Sequence, residues 1–150
     1  MKVNFREIDP FNCWIWLNFL DIPNQAEKNY LDAVFESWYV IGRLGGFNSE
    51  NLQVHEQGND LSWMNYEDEE SSNIIPALMH NLGEIEYNQK WARCWVDLGT
   101  CDSIAIDILV NSLKQVDKDF VELKKIYIGG VNEDWPIEDH PDSVFESIRK

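Results

Sequence analysis

Apolar and polar residues alternate along residues 3–8, the period of two that a strand requires, and Pro10 ends the run. Residues 13–20, CWIWLNFL, are apolar on both faces and dense in strand formers, which predicts a central, buried strand. Pro23 and Asn24 break the pattern. A helix is predicted over residues 25–42, where Ala26, Tyr30, Val34, Trp38 and Ile41 recur at spacings of three and four. Gly42, followed by Gly45 and Gly46, supplies its left-handed stop. Residues 52–57 and 61–66, joined by Gly58-Asn59-Asp60, predict a hairpin, with an acidic loop at 67–70 after it. Residues 74–81 predict a short helix with Pro76 in its first turn, ended by Gly83. A second hairpin pairs 84–87 with 91–98 around Asn88 and Gln89.

Thr100 and Asp102 are both suited to cap a second helix, whose stripe is Ala105, Ile106, Leu109, Val110, Leu113 and Val116. A last strand, 123–128, ends at Gly129-Gly130. These parts predict an α+β fold: a two-layer sandwich of a mainly antiparallel sheet and two main helices. Its core would be ferredoxin-like, a split βαβ, extended by extra hairpin strands. The alternative is a two-layer arrangement of the same parts in another order. Residues 1–131 are expected to form one domain. The tail, 132–150, is acidic, holds Pro136 and Pro141, and is expected to lose order beyond Trp135.

Composition narrows the function. In 150 residues, 44% hydrophobic and 13% aromatic content is ample for a core and excludes a wholly disordered chain. The 27 acidic against 12 basic residues leave a net charge of -15, which opposes nucleic-acid binding and docking on anionic lipid. The start, MKVNFREIDPFN, has no apolar leader, and the longest apolar run, 104–110, is interrupted by Asp107, far short of the roughly 20 residues that span a bilayer. The expectation is a cytoplasmic protein with no membrane insertion. Cys13, Cys94 and Cys101 are an odd set without a CxxC pair and read as reduced thiols.

Candidate chemistry is sparse. His80 and Glu84 stand four apart, but Gly83 lies between them, and neither an HExxH nor a Cys/His cluster accompanies His55, His80 or His140. No metal or other cofactor is implied. Cys94 lies between apolar neighbours as a small hydrophobe would. Cys101 stands at a helix start, where the helix dipole lowers a thiol pKa, yet a nucleophile also needs a base and none adjoins it. The turn 98–103 has one glycine and no P-loop lysine, so it suits capping better than phosphate. Asp97, Asp102 and Asp107 are acid–base candidates by position alone. Both glycine pairs are ordinary turn chemistry. Still, the loops 45–50, 99–103 and 129–135, with Asn48, Cys101, Asp102, Asn132 and Trp135, are the alternative site for a ligand, a metal or a small catalytic centre.

The stronger signal is tryptophan. Strand alternation puts Trp14 and Trp16 on one face of 13–20 and Trp91, Arg93, Trp95 and Asp97 on one face of 91–98. The opposite faces, Cys13-Ile15-Leu17-Phe19 and Ala92-Cys94-Val96-Leu98, suit helices packed over them. If the two strands are neighbours, Trp14, Trp16, Trp91, Arg93 and Trp95 combine on the side that the helices leave open. That is the composition of an interface hot spot. The competing reading is a second core covered by the hairpins or the tail. The leading function is therefore a non-enzymatic protein-binding or assembly factor, with a protein partner or a second copy on the tryptophan face. Its acidity would steer it toward a basic surface. A DNA mimic is a third reading, weakened because the acids gather in loops and tail and not along one element.

Segments WIWLNF (14–19), ESWYVIGRLGGFNSENLQV (36–54), ALMHNLGEIEY (77–87), WARCWVDLGT (91–100) and GGVNEDWP (129–136) together resemble a cyanobacterial and plastid family, the domain of unknown function 3531. The resemblance runs from about Phe5 to Pro136. It implies a photosynthetic host, with the protein in a cyanobacterial cytosol or a plastid stroma. It brings no established activity, cofactor or catalytic residue.

Overall fold

A computed structural model describes residues 1–47, 77–132 and 134–136. The hairpin expected over 52–66, the acidic loop at 67–70 and the tail from 137 lie outside the described residues. The fold is α+β, with two helices and a mixed six-stranded sheet among them. The elements in chain order are β1 (Lys2–Phe5), β2 (Cys13–Phe19), α1 (Gln25–Arg43), β3 (Asn81–Leu82), β4 (Glu86–Asn88), β5 (Trp91–Asp97), α2 (Ile104–Asp119) and β6 (Leu123–Ile128). The sheet order is β1-β6-β2-β5-β3, and β4 also pairs with β5. β1 runs parallel to β6, and every other pair is antiparallel.

The helices cover one sheet face. Beneath them lie Ile15, Leu17, Ala92, Cys94, Val96, Ile126 and Ile128, all but excluded from water. α2 contributes the six residues expected of it, Ala105, Ile106, Leu109, Val110, Leu113 and Val116. α1 does not bury the stripe its spacing suggested. Its buried residues are Leu31, Phe35, Trp38 and Gly42, whereas Ala26, Tyr30 and Ile41 are exposed. The helix is apolar over two adjoining stripes, and the one with Leu31 and Phe35 faces the sheet. Tyr30 instead stacks on Phe120, ring centroids 4.1 Å apart. Trp38 Nε1 donates to Ala105 O at 2.9 Å and ties the helices together.

α1 starts at a full capping box. Asn24 Oδ1 accepts from Glu27 N at 2.8 Å, and Glu27 Oε1 accepts from Asn24 N at 2.9 Å. Asn24→Ala should cost about 1 kcal/mol. In a domain of this size that lowers Tm by about 2–4 °C, measurable by circular dichroism. An unchanged Tm would mean that tertiary packing alone holds this end.

Four other expectations are corrected. The first strand stops at Phe5, and residues 6–12 are a loop. Neither Thr100 nor Asp102 caps α2, which begins after Ser103 without a side-chain cap bond. Thr100 Oγ1 accepts from Leu78 N instead, at 3.1 Å. Residues 77–80, expected as the end of a helix, are extended and lead into β3. Long-range bonds decide this: Met79 N donates to Gly42 O at 3.1 Å, and His80 N to Asp97 O at 3.0 Å. Gly42 is not the left-handed stop, a role that falls to Gly45 with its φ of 83°. What Gly42 supplies is clearance, since a Cβ there would lie 2.5 Å from Met79 Sδ.

Candidate functional site

The two tryptophan strands are neighbours. β2 pairs with β5 so that Trp14 lies opposite Trp95, Trp16 opposite Arg93, and Asn18 opposite Trp91. On the other side of β2, Trp16 lies opposite Tyr127 and Asn18 opposite Lys125. Alternation carries all of these side chains to the face away from the helices. The row Tyr127, Trp16, Arg93, Glu86 therefore crosses the sheet.

The middle of this face is closed. Trp16, Tyr127 and Trp91 are 0%, 1% and 6% exposed and form their own apolar cluster, apart from the core under the helices. Trp16 meets Trp91 edge-on at 6.4 Å, and Trp91 stacks with Tyr127 at 6.2 Å. Trp14, Trp95 and Trp135 are part-exposed around them. Trp95 Nε1 donates to Asn12 Oδ1 at 2.8 Å, which anchors the 6–12 loop beside the rim.

Arg93 is the polar centre. Its Nε donates to Glu86 Oε2 at 2.9 Å. Its guanidinium lies 4.3 Å from the ring centroid of Trp135 and 5.5 Å from that of Trp16. Both distances are within cation–π range. Trp135 packs edge-on against Trp16 at 5.6 Å.

Trp135 was expected in a loop site and not on the sheet. The turn after β6 brings it here. Gly129 N donates to Trp14 O at 2.8 Å, and its φ is 102°. A Cβ at Gly129 would lie 2.7 Å from both Arg6 O and Glu7 O, so only glycine allows this approach. Tyr127 was also missed. Its place in LKKIYI alternates with the buried Ile126 and Ile128, which was the available signal.

Of the loops proposed as the alternative site, residues 99–103 join β5 to α2, and residues 129–132 follow β6. Asn48 lies outside the described residues. Asn132 is exposed, and Asp102 is half-buried. Asp97 Oδ1 accepts from Gly99 N at 2.9 Å and stands 3.4 Å from His80 Nδ1. Cys101 does not carry a thiol activated by the helix start. Burial first, and the Asp102 charge second, push it up to about 11. Cys13 and Cys94 are likewise pushed up by burial, to about 11 and about 12. Among the described residues, no three His, Cys, Asp or Glu side chains are placed to hold a metal ion, and no helix is long and apolar enough to cross a membrane. Two hollows of about 500 Å³ flank α1. One is lined by Asp32, Glu36, Tyr39 and Glu84, the other by Tyr30, Val34, Ile41 and Ile108. Neither lies on the tryptophan face.

No curated protein and no solved structure matches the chain. A family model described as a protein of unknown function, DUF3531, matches residues 1–143. That match spans the helices, the whole sheet and the tryptophan face, so the chain belongs to the DUF3531 family.

Proposed function

We infer that this chain is a non-enzymatic protein-binding or assembly factor that docks its partner on the rim of the tryptophan face. The observation that carries the reading is two part-exposed tryptophans, Trp14 and Trp95, set beside a packed, buried floor of Trp16, Trp91 and Tyr127. Tryptophan and arginine dominate binding energy where a packed centre is ringed by part-exposed contacts. A rigid floor lowers the ordering cost of binding. The raised thiols favour this reading over a nucleophilic enzyme at the 99–103 loop. The setting that fits is a cyanobacterial cytosol or a plastid stroma.

The test is affinity capture from a native lysate with the tagged chain and with Trp14→Ser plus Trp95→Ser, at low and high salt. The expected result is one stoichiometric partner that survives high salt and falls at least tenfold in yield with the folded double variant. Equal capture by both chains, or capture only of basic proteins lost at high salt, sinks the reading. The latter would mean that the net charge of -15 does the attracting.

A further inference from the structure

We propose that Trp135 is a displaceable plug: the chain's own Asp134-Trp135-Pro136 segment occupies the place that a partner's acidic, tryptophan-proline segment takes. The proposal rests on reading the tryptophan face as a docking surface, and it names the chemistry of what docks there.

Three observations point to an intramolecular ligand in place of a fixed core residue. First, Trp135 is held by side chains of the sheet face, Trp16 at 5.6 Å and Arg93 at 4.3 Å, and it belongs to no helix or strand. Second, it stays part-exposed while Trp16 beneath it is fully buried, and Pro136 beside it is buried. The contact thus has the form of a short peptide laid on a surface, an aromatic anchor followed by a proline of low conformational entropy. Third, the charges agree. The chain is strongly acidic overall, but this face carries Arg93, which also pairs with Glu86, and the paired Lys2 and Lys125. The plug is read Asn132-Glu133-Asp134-Trp135-Pro136, acidic before the anchor. The overall repulsion of an acidic segment is screened beyond about 8 Å at physiological salt. The Arg93–Trp135 contact is a cation–π contact and does not depend on those charges.

A plug tethered by the short 129–134 stretch acts at a local concentration on the order of millimolar, so a free segment must outcompete it. This excludes weak ligands and admits those with more contacts than the plug itself makes.

The test uses a fluorescein-labelled peptide of residues 129–138, GGVNEDWPIE, and the full chain, read by anisotropy. The peptide should bind Trp135→Ala saturably and at least tenfold more tightly than it binds wild type. Arg93→Ala added to Trp135→Ala should weaken that binding at least fivefold, and the peptide with its tryptophan replaced by alanine should not bind. Equal affinity for wild type and Trp135→Ala overturns the proposal, as does binding indifferent to Arg93. Unfolding of Trp135→Ala also overturns it, because a group the fold requires is not displaceable. Any of these with capture still lost in the Trp14/Trp95 variant rejects the plug and leaves the docking surface standing. Any of these with equal capture by wild type and the Trp14/Trp95 variant rejects the surface itself.

Discussion

Trp16→Ala should lower stability by about 3–5 kcal/mol, the cost of emptying a large, fully buried aromatic site. Against a total of about 5–15 kcal/mol, that leaves a domain near its unfolding threshold. Trp16 has no exposed surface, and it joins Trp91, Tyr127 and Trp135 into the cluster under the open face. Its removal leaves Trp91, Trp135 and the Arg93 guanidinium without their shared neighbour. Trp95→Ser should cost far less, because Trp95 is part-exposed, and its indole N–H anchors the 6–12 loop through Asn12. Urea unfolding of both variants, followed by far- and near-ultraviolet circular dichroism, gives the comparison. A loss below about 1 kcal/mol for Trp16→Ala would show that the face collapses around the gap and is no second core.

Alkali should unfold the protein through its buried thiols. Burial raises Cys94 to about 12 and Cys13 to about 11, from an ordinary value near 9. Below pH 9, folded and unfolded chains both keep these protons. Above it the unfolded chain releases them and the folded chain does not. The unfolded state then binds fewer protons, so stability falls as pH rises, and it continues to fall until the folded thiols themselves ionise. Cys13 and Cys94 give a slope that approaches about 3 kcal/mol per pH unit between pH 9 and 11, and Cys101, also raised to about 11, adds to it. Tyr87, also raised by burial and by the Asp32 carboxylate, steepens the loss above pH 10. Urea midpoints at pH 8, 9 and 10 measure the slope. Cys13→Ala with Cys94→Ala should flatten it, whatever the double variant costs at pH 8. Equal slopes for the two chains would assign base unfolding to other groups.

The buried strands were the most legible part of the sequence. In β2 and β5 a run apolar on both faces and a strict alternation each pointed one way, and the Trp14–Trp95 and Trp16–Arg93 pairs follow from those patterns once the strands adjoin. α2 was legible for the same reason, as its single stripe left no choice. α1 offered two stripes, and only the sheet beneath it selects Leu31 and Phe35 over Tyr30 and Ile41. Residues 77–80 carried local helix signals that bonds to Gly42 and Asp97, both distant in sequence, override. Of the face itself, Trp14, Trp16, Trp91, Arg93 and Trp95 were readable from the period of two. Trp135 was not, because it reaches the sheet only through a turn at Gly129 whose close approach to Arg6 and Glu7 has no local signature. Cys101 shows the limit of a local electrostatic argument: the helix start favours the thiolate, but loss of water around the sulfur outweighs it.

Among the described residues, β5 is bordered on one side by two short pieces, Asn81–Leu82 and Glu86–Asn88. A margin broken in this way offers an incoming strand no continuous ladder of backbone donors and acceptors. The opposite margin, β1, is four residues long and begins at a lysine. Short, interrupted or charged borders are how sheet proteins resist growing into fibrils. A chain that keeps tryptophans part-exposed on the flat of its sheet needs that protection at its rims.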